Sequence, residues 1–277
     1  MKTRILTSVV AVAILLPVLI FADYPVLPFG IALCSVIAVF EMLRCMGLHR
    51  SVSISIPFYL IAAGMPFLVR HCAAWRLRSI VLAAAVLCLL YLFTVLIFSH
   101  GKYTPSQVGA GFFSLAYILI GFNAIIYIHD FEPGGAYVYL IVFLGAWITD
   151  IFAYFCGILL GRGGKHKLIP DVSPKKTVEG SIGGIVFCIL SMILFGVIVE
   201  AIEPSLNANL LTFALAGLAV SVVAQIGDLS MSVIKRHYGI KDYGKLFPGH
   251  GGVLDRFDSV IAVAAVLLVF CSFFNFF

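Results

Sequence analysis

Charge is scarce in this sequence. Lys, Arg, Asp and Glu make up 11% of the 277 residues and apolar residues 62%, against roughly 25% and about 45–50% in soluble domains. That imbalance excludes a soluble globular fold, which could not hide so much apolar surface. A disulfide framework and a zinc site are missing too. The seven cysteines are odd in number, never spaced C-x-x-C, and sit mostly in apolar runs where a thiol packs as a small core residue. No repeat, low-complexity tract or soluble insertion breaks the pattern. One membrane domain over 1–277 is expected, with less specific N-terminal helices at about 1–130 and a catalytic half at about 136–277.

What is present is a series of apolar windows, each long enough to cross about 30 Å of hydrocarbon. They fall at about 5–21, 25–45, 52–70, 79–99, 106–128, 136–160, 181–199, 208–233 and 258–276. The expected fold is therefore an all-α polytopic membrane protein of about nine transmembrane helices. The third window carries Pro57, Gly64 and Pro66 and is the least regular. Lys2 and Arg4 precede the first window as in a signal peptide, but no A-x-A-like site follows, so a retained helix is expected.

Lys and Arg set the orientation. With the N-terminus cytoplasmic, 15 of the 18 fall on inner segments, and only Arg70, Arg76 and Arg78 fall outside, without an evident reason. The two charged loops, 161–180 and 234–257, between helices six/seven and eight/nine, then share the cytoplasmic side.

The densest polar stretch runs from Asp228 to Asp258 and holds five of the 18 Lys+Arg and four of the 13 Asp+Glu. Asp228, Ser232 and Lys235 are spaced i, i+4, i+7 on one helix face. Pro248-Gly249-His250-Gly251-Gly252 reads as a turn whose backbone can approach an anion closely. Asp255 and Asp258, three apart, open the last apolar helix. Acids at two helix ends with Lys and Arg between them suit a hard divalent cation bridging a polyphosphate. The other reading, a solvated loop with end-of-helix charges, fits such density poorly, because acids within membrane segments are rare and usually functional.

A second cluster lies in the sixth window. Asp150, Tyr154 and Gly157 share a face in Trp147-x2-Asp150-x2-Ala153-Tyr154-x2-Gly157. Asp150 reads either as a site acid or as a hydrogen-bonded structural acid, and Gly157-x3-Gly161 reads as a helix-packing motif. Arg162-Gly163-Gly164-Lys165 invites a phosphate-loop reading, but Leu159 stands where the first glycine would be and His166 follows the lysine, so a P-loop is excluded. Glu41 and Arg44, spaced i, i+3, read as a local ion pair. His49, His71, His100 and His129 read as interface residues, and His250 equally as a turn residue or a phosphate contact.

The run Ser232-x-Ile234-Lys235-Arg236-x4-Lys241-Asp242-x-Gly244-x2-Phe247-Pro248-x-His250-Gly251-Gly252-Val253-x-Asp255-Arg256-Phe257-Asp258 resembles the signature of the phosphatidate cytidylyltransferases, or CDP-diacylglycerol synthases. The W-x2-D-x2-A-Y-x2-G block and Ser173-Pro174-x-Lys176-Thr177-x-Glu179-Gly180 resemble further blocks of that family, so the likeness covers the C-terminal half. The resemblance implies CTP plus phosphatidic acid giving CDP-diacylglycerol plus pyrophosphate, with Mg²⁺, at a bacterial inner membrane with the site facing the cytoplasm. It implies no nucleic-acid partner and, at family level, a homodimer. Under it, Asp228 and Asp255 are the leading metal ligands, with Asp258 a ligand or its neighbour. Lys176, Lys235, Arg236, Lys241 and Arg256 hold the triphosphate and the lipid phosphate. Ser173 and Ser232 donate hydrogen bonds, Gly249, Gly251 and Gly252 offer backbone N–H groups, His250 touches phosphate, and Asp150 supports the cavity. Two rivals stay open: a CTP-dependent lipid kinase of the dolichol type and a cation-coupled transporter using Asp150 and Asp228.

Overall fold

The computed structural model describes residues 13–131, 134–161 and 166–277. Its helices are α1 (13–20), α2 (Val26–Cys45), α3 (Val52–His71), α4 (Ala74–Phe98), α5 (Pro105–His129), α6 (Gly135–Val138), α7 (Leu140–Leu160), α8 (Val178–Ile202), α9 (Leu210–His237) and α10 (Leu254–Cys271). Among the described residues seven helical segments are long and apolar enough to cross a membrane, α6 and α7 counting together as one. The first expected span lies partly outside the described residues. The last exists as α10, 18 residues long with Asp255, Arg256 and Asp258 in its opening turns. Arg162-Gly163-Gly164-Lys165 also lies outside the described residues.

The all-α expectation is incomplete. β1 (Lys167–Ile169) and β2 (Ser173–Thr177) pair antiparallel, with Lys167 opposite Thr177 and Ile169 opposite Ser173. Pro170-Asp171 between them is turn chemistry, and the pairing gives this short loop hydrogen-bond partners of its own.

The chain divides into two compact units, one of residues 1–126 with 240–256, the other of 127–239 with 257–277. The loop from Ile240 to Arg256 thus groups with the N-terminal helices and not with the rest of the expected catalytic half.

In the first unit α2, α3 and α4 follow one another as neighbours. Leu27, Met42, Ile54, Phe58, Ile118 and Phe122 are fully buried there. α3 runs unbroken through Pro57 and Pro66. Pro57 has no N–H for the carbonyl of Ser53, and the Tyr91 hydroxyl from α4 donates to that oxygen at 2.8 Å, so the bond the proline removes is replaced. α4 leaves Leu82, Leu87, Phe93, Ile97 and Phe98 exposed, surface that belongs in hydrocarbon. Arg70 donates to the carbonyls of Ala22 (3.2 Å) and Asp23 (2.7 Å), just past α1, which accounts for one of the three outer arginines. The Arg76 guanidinium lies over the Trp75 ring at 4.9 Å. Nothing in the structure explains Arg78.

In the second unit α7, α8 and α9 pack on one another. Small residues let the backbones close. A Cβ on Gly217 of α9 would sit 2.8 Å from the Cα of Ile189 in α8, and one on Gly184 would lie 2.9 Å from the Thr149 carbonyl of α7. Gly157 faces Gly180 in the same seam, as the packing reading expects. Thr177 caps α8 by accepting from the Gly180 N–H at 3.1 Å.

Candidate active site

Two groups of polar residues form, one in each unit. In the second unit a cavity of about 250 Å³ is lined by Asp150, Tyr154, Ser173, Lys175, Lys176, Ser181 and Gln225, among others. α7 supplies Asp150 and Tyr154 one turn apart, β2 supplies Ser173 and Lys176, and α9 supplies Gln225. The side chain of Lys176, half-buried, forms an ion pair with Asp228 Oδ2 at 2.5 Å and has no further hydrogen-bond partner among the described residues. Ser232 Oγ stands 3.5 Å from Asp228 Oδ1, so the helix face read from the i, i+4 spacing exists, although the hydrogen bond is long. Asp258 is buried, and its charged neighbours are Asp228 and Asp150, which repel it, and Lys235, itself buried, which attracts it. Its carboxylate also accepts from the Ser259 N–H at 2.8 Å. Thus Asp150, Ser173, Lys176, Asp228, Ser232, Lys235 and Asp258 are gathered in this unit. Arg236 follows Lys235 at the exposed end of α9.

Ser181 and Gln225 belong to the same cavity and were not singled out from sequence. The Ser181 hydroxyl donates to Gln225 Oε1 at 2.5 Å, joining α8 to α9 at the cavity wall. Gln225 precedes Asp228 by three residues, so an amide one turn before the acid was the available signal.

In the first unit the loop after α9 surrounds an open pocket of about 490 Å³. Lys241, Asp242, Lys245, Gly249, His250, Gly251 and Arg256 are among its lining residues. Lys241, Lys245 and Arg256 are exposed, so the pocket presents cations to an anion. Gly249 and Gly251 adopt φ of 80° and 88°, backbone that L side chains rarely reach.

The same loop is folded around two interior carboxylates. Asp255, 8% exposed, accepts through Oδ2 from the N–H of Tyr243 (2.8 Å), Gly252 (2.9 Å) and, more weakly, Gly244 (3.4 Å). The Gly252 N–H, expected to be offered to substrate, is therefore already donated to Asp255. Glu41, reaching from α2 and 2% exposed, accepts from the N–H of Val253 (3.1 Å) and Leu254 (2.9 Å), where α10 begins. Arg44 donates to the Tyr243 carbonyl. The attraction between Glu41 and Arg44 that their spacing suggests is present, but each side chain also reaches a distant loop. Both spend their hydrogen bonds on a loop some 200 residues further along. The sequence signal for Glu41 was an acid near the end of an apolar run, and its local partner obscured the distant one.

A divalent metal can be tested against these groups. Among the described residues no three His, Cys, Asp or Glu side chains stand close enough to hold a metal alone. Asp258, with Asp228 and Asp150 as its acidic neighbours, offers the kind of oxygen donors that suit a hard divalent ion able to keep waters and complete its shell with phosphate oxygens.

Seven apolar helices and two pockets that set cations beside acidic groups define an integral membrane protein with charged cavities. The chain belongs to the cytidylyltransferase family, whose model matches residues 2–274. A protein of Staphylococcus haemolyticus named phosphatidate cytidylyltransferase is 35% identical over 271 residues, 96% of this chain and 97% of that one. Proteins of the same name from Staphylococcus saprophyticus and Staphylococcus epidermidis are each 34% identical, over 273 and 267 residues, with the same 96% and 97% coverage. The chain is accordingly an enzyme of the nucleotidyltransferase class.

Proposed function

We propose that this protein joins the phosphate of phosphatidate to the cytidylyl group of CTP, giving CDP-diacylglycerol and pyrophosphate. Membership of the cytidylyltransferase family and the names of its relatives support the reaction. The observation that carries it to particular residues is the Lys176–Asp228 ion pair, with Asp258 in its neighbourhood and a cavity alongside.

A phosphatidate oxygen attacks the α-phosphorus of CTP, the new P–O bond forms, and the bond to the β-phosphate breaks in line. No covalent enzyme intermediate is needed, so the chain contributes positioning and charge neutralisation. Lys176 exchanges Asp228 for a substrate phosphate oxygen, and Lys235 offsets the acids while the site fills. Ser173 and Ser232 supply hydroxyl donors, and Asp150 orients groups within its cavity. Asp228 and Asp258 would hold a divalent ion, taken as Mg²⁺, which would supply Lewis-acid charge to the transferring group. Lys241, His250 and Arg256 hold phosphate charge at the loop pocket, and Arg236 adds a cation at the end of α9. Asp255 shapes that loop through the three N–H contacts of its Oδ2, and its part as a metal ligand rests on the sequence pattern alone.

The chain's N-terminus and both charged loops are placed on the cytoplasmic side of a bacterial inner membrane, which the distribution of Lys and Arg supports. Pairing of two copies is a family-level expectation.

The test is product identity. CTP labelled at the α-phosphate is supplied with phosphatidate and a divalent ion to the purified protein. Label should pass into lipid with equal release of pyrophosphate. Formation of CDP on adding a lipid alcohol would instead make the protein a kinase.

A further inference from the structure

We propose that Glu41 is a positioning residue for nucleotide binding: an interior carboxylate, fixed on α2, that holds the 240–256 loop in the shape that aims its cations. The proposal rests on the cytidylyltransferase reading given above.

The start of α10 carries the partial positive charge of a helix N-terminus, and its first N–H groups lack partners within the helix. Glu41 fills that position from within the protein, accepting from Val253 and Leu254. The helix end is therefore spent on an internal anion, and a substrate phosphate must be met by the side chains Lys241, Lys245, His250 and Arg256 around the adjoining pocket. The two glycines beside this carboxylate fit the same role. A Cβ on either Gly244 or Gly252 would collide with the Glu41 side chain, so the loop closes on it backbone first. Arg44, one turn along α2, fixes the other end of the loop through the Tyr243 carbonyl. α2 thus acts as a template: two side chains three residues apart grip both ends of a loop whose exposed face bears the charge.

A buried acid that served only general stability would alter the amount of folded enzyme and nothing else. A positioning acid changes how tightly CTP is held. The full-length protein is compared with Glu41→Ala, Glu41→Gln and Glu41→Asp. Removing the acceptor leaves two buried N–H groups unsatisfied, and we expect the KM for CTP to rise about tenfold or more. The KM for phosphatidate should move less than twofold, and Glu41→Asp should recover part of the loss. A readout independent of turnover is trypsin cleavage after the exposed Lys241 and Lys245. It should accelerate in Glu41→Ala and be slower again in Glu41→Asp. Gly252→Ala, which pushes on the same carboxylate from the loop side, should reproduce the cleavage pattern, and it keeps the test available if Glu41→Ala does not fold. A fall in Vmax with both KM values and loop cleavage at wild-type levels would overturn the proposal. A wild-type protein that forms no CDP-linked lipid would sink the cytidylyltransferase reading and the CTP half of this one, and cleavage would then decide the anchoring.

Discussion

Replacing Asp255 separates two roles that one residue could play. Sequence pattern makes it a metal ligand, whereas the structure uses its Oδ2 to gather three backbone N–H groups. Two of those bonds, at 2.8 and 2.9 Å, are of full strength, and the third, at 3.4 Å, is weak. In Asp255→Asn the amide oxygen can take the place of Oδ2 but without charge, and charge-assisted bonds are about twice as strong as neutral ones. Losing roughly 0.5–1 kcal/mol from each of two bonds gives about 1–2 kcal/mol in all. That corresponds to opening the loop about five- to thirtyfold more often. Asp255→Ala removes the acceptor altogether and leaves the N–H groups of a buried turn unpaired, which costs about 3 kcal/mol or more. The assay pairs the rate of tryptic cleavage at Lys241 and Lys245 with turnover at saturating CTP and metal. The structural role requires cleavage to rise in the order wild type, Asn, Ala, with turnover falling in the same order. If Asp255→Asn abolished turnover while the loop stayed as resistant as wild type, the reasoning from these hydrogen bonds would be refuted and the metal-ligand role restored.

Lys176→Gln should lower kcat/KM by about a hundredfold, as expected for losing a positioned charge at a transferring phosphate. Adding Asp228→Asn to it should cost much less than the two single losses combined, because the residues share one ion pair. Gly217→Ala forces a Cβ against the Ile189 backbone and should destabilise the α8–α9 seam by about 1–3 kcal/mol, read as earlier heat inactivation with unchanged KM values. Orientation can be read with single introduced cysteines in a background lacking the native ones. A membrane-impermeant thiol reagent added to intact cells should label Arg76→Cys and spare Lys102→Cys, and the reverse pattern would invert the topology.

Membrane class and the positions of seven apolar helices among the described residues were legible without coordinates. Each follows from local properties: hydropathy over some twenty residues decides whether a segment crosses a bilayer. Spacing of three, four and seven decides which side chains share a helix face, so Asp228 and Ser232 were placed together correctly. The signature run likewise marked where charge is concentrated, because acids and lysines crowded between apolar helices are rare in a membrane sequence. The hairpin at Lys167–Thr177 was less legible, since strands this short carry little periodicity.

The partners of those groups were decided only by tertiary structure. Glu41 and Leu254 are 213 residues apart, and no local pattern reports that a carboxylate on α2 will meet the N-terminus of α10. Local reasoning gave Glu41 to Arg44 because that pairing is visible within one turn. Packing offered two buried N–H groups in need of an acceptor, which bind a carboxylate more strongly than a neighbouring surface charge does. The same holds for Asp255, whose residue type fits a metal site and whose burial among three N–H donors commits its Oδ2 to the loop. Lys176 met Asp228 because β2 and α9 bring side chains 52 residues apart to within 2.5 Å. Composition and spacing determined which charges this protein owns, and the packing of its helices, where burying a polar group without a partner is costly, decided what Glu41, Asp255 and Lys176 hold.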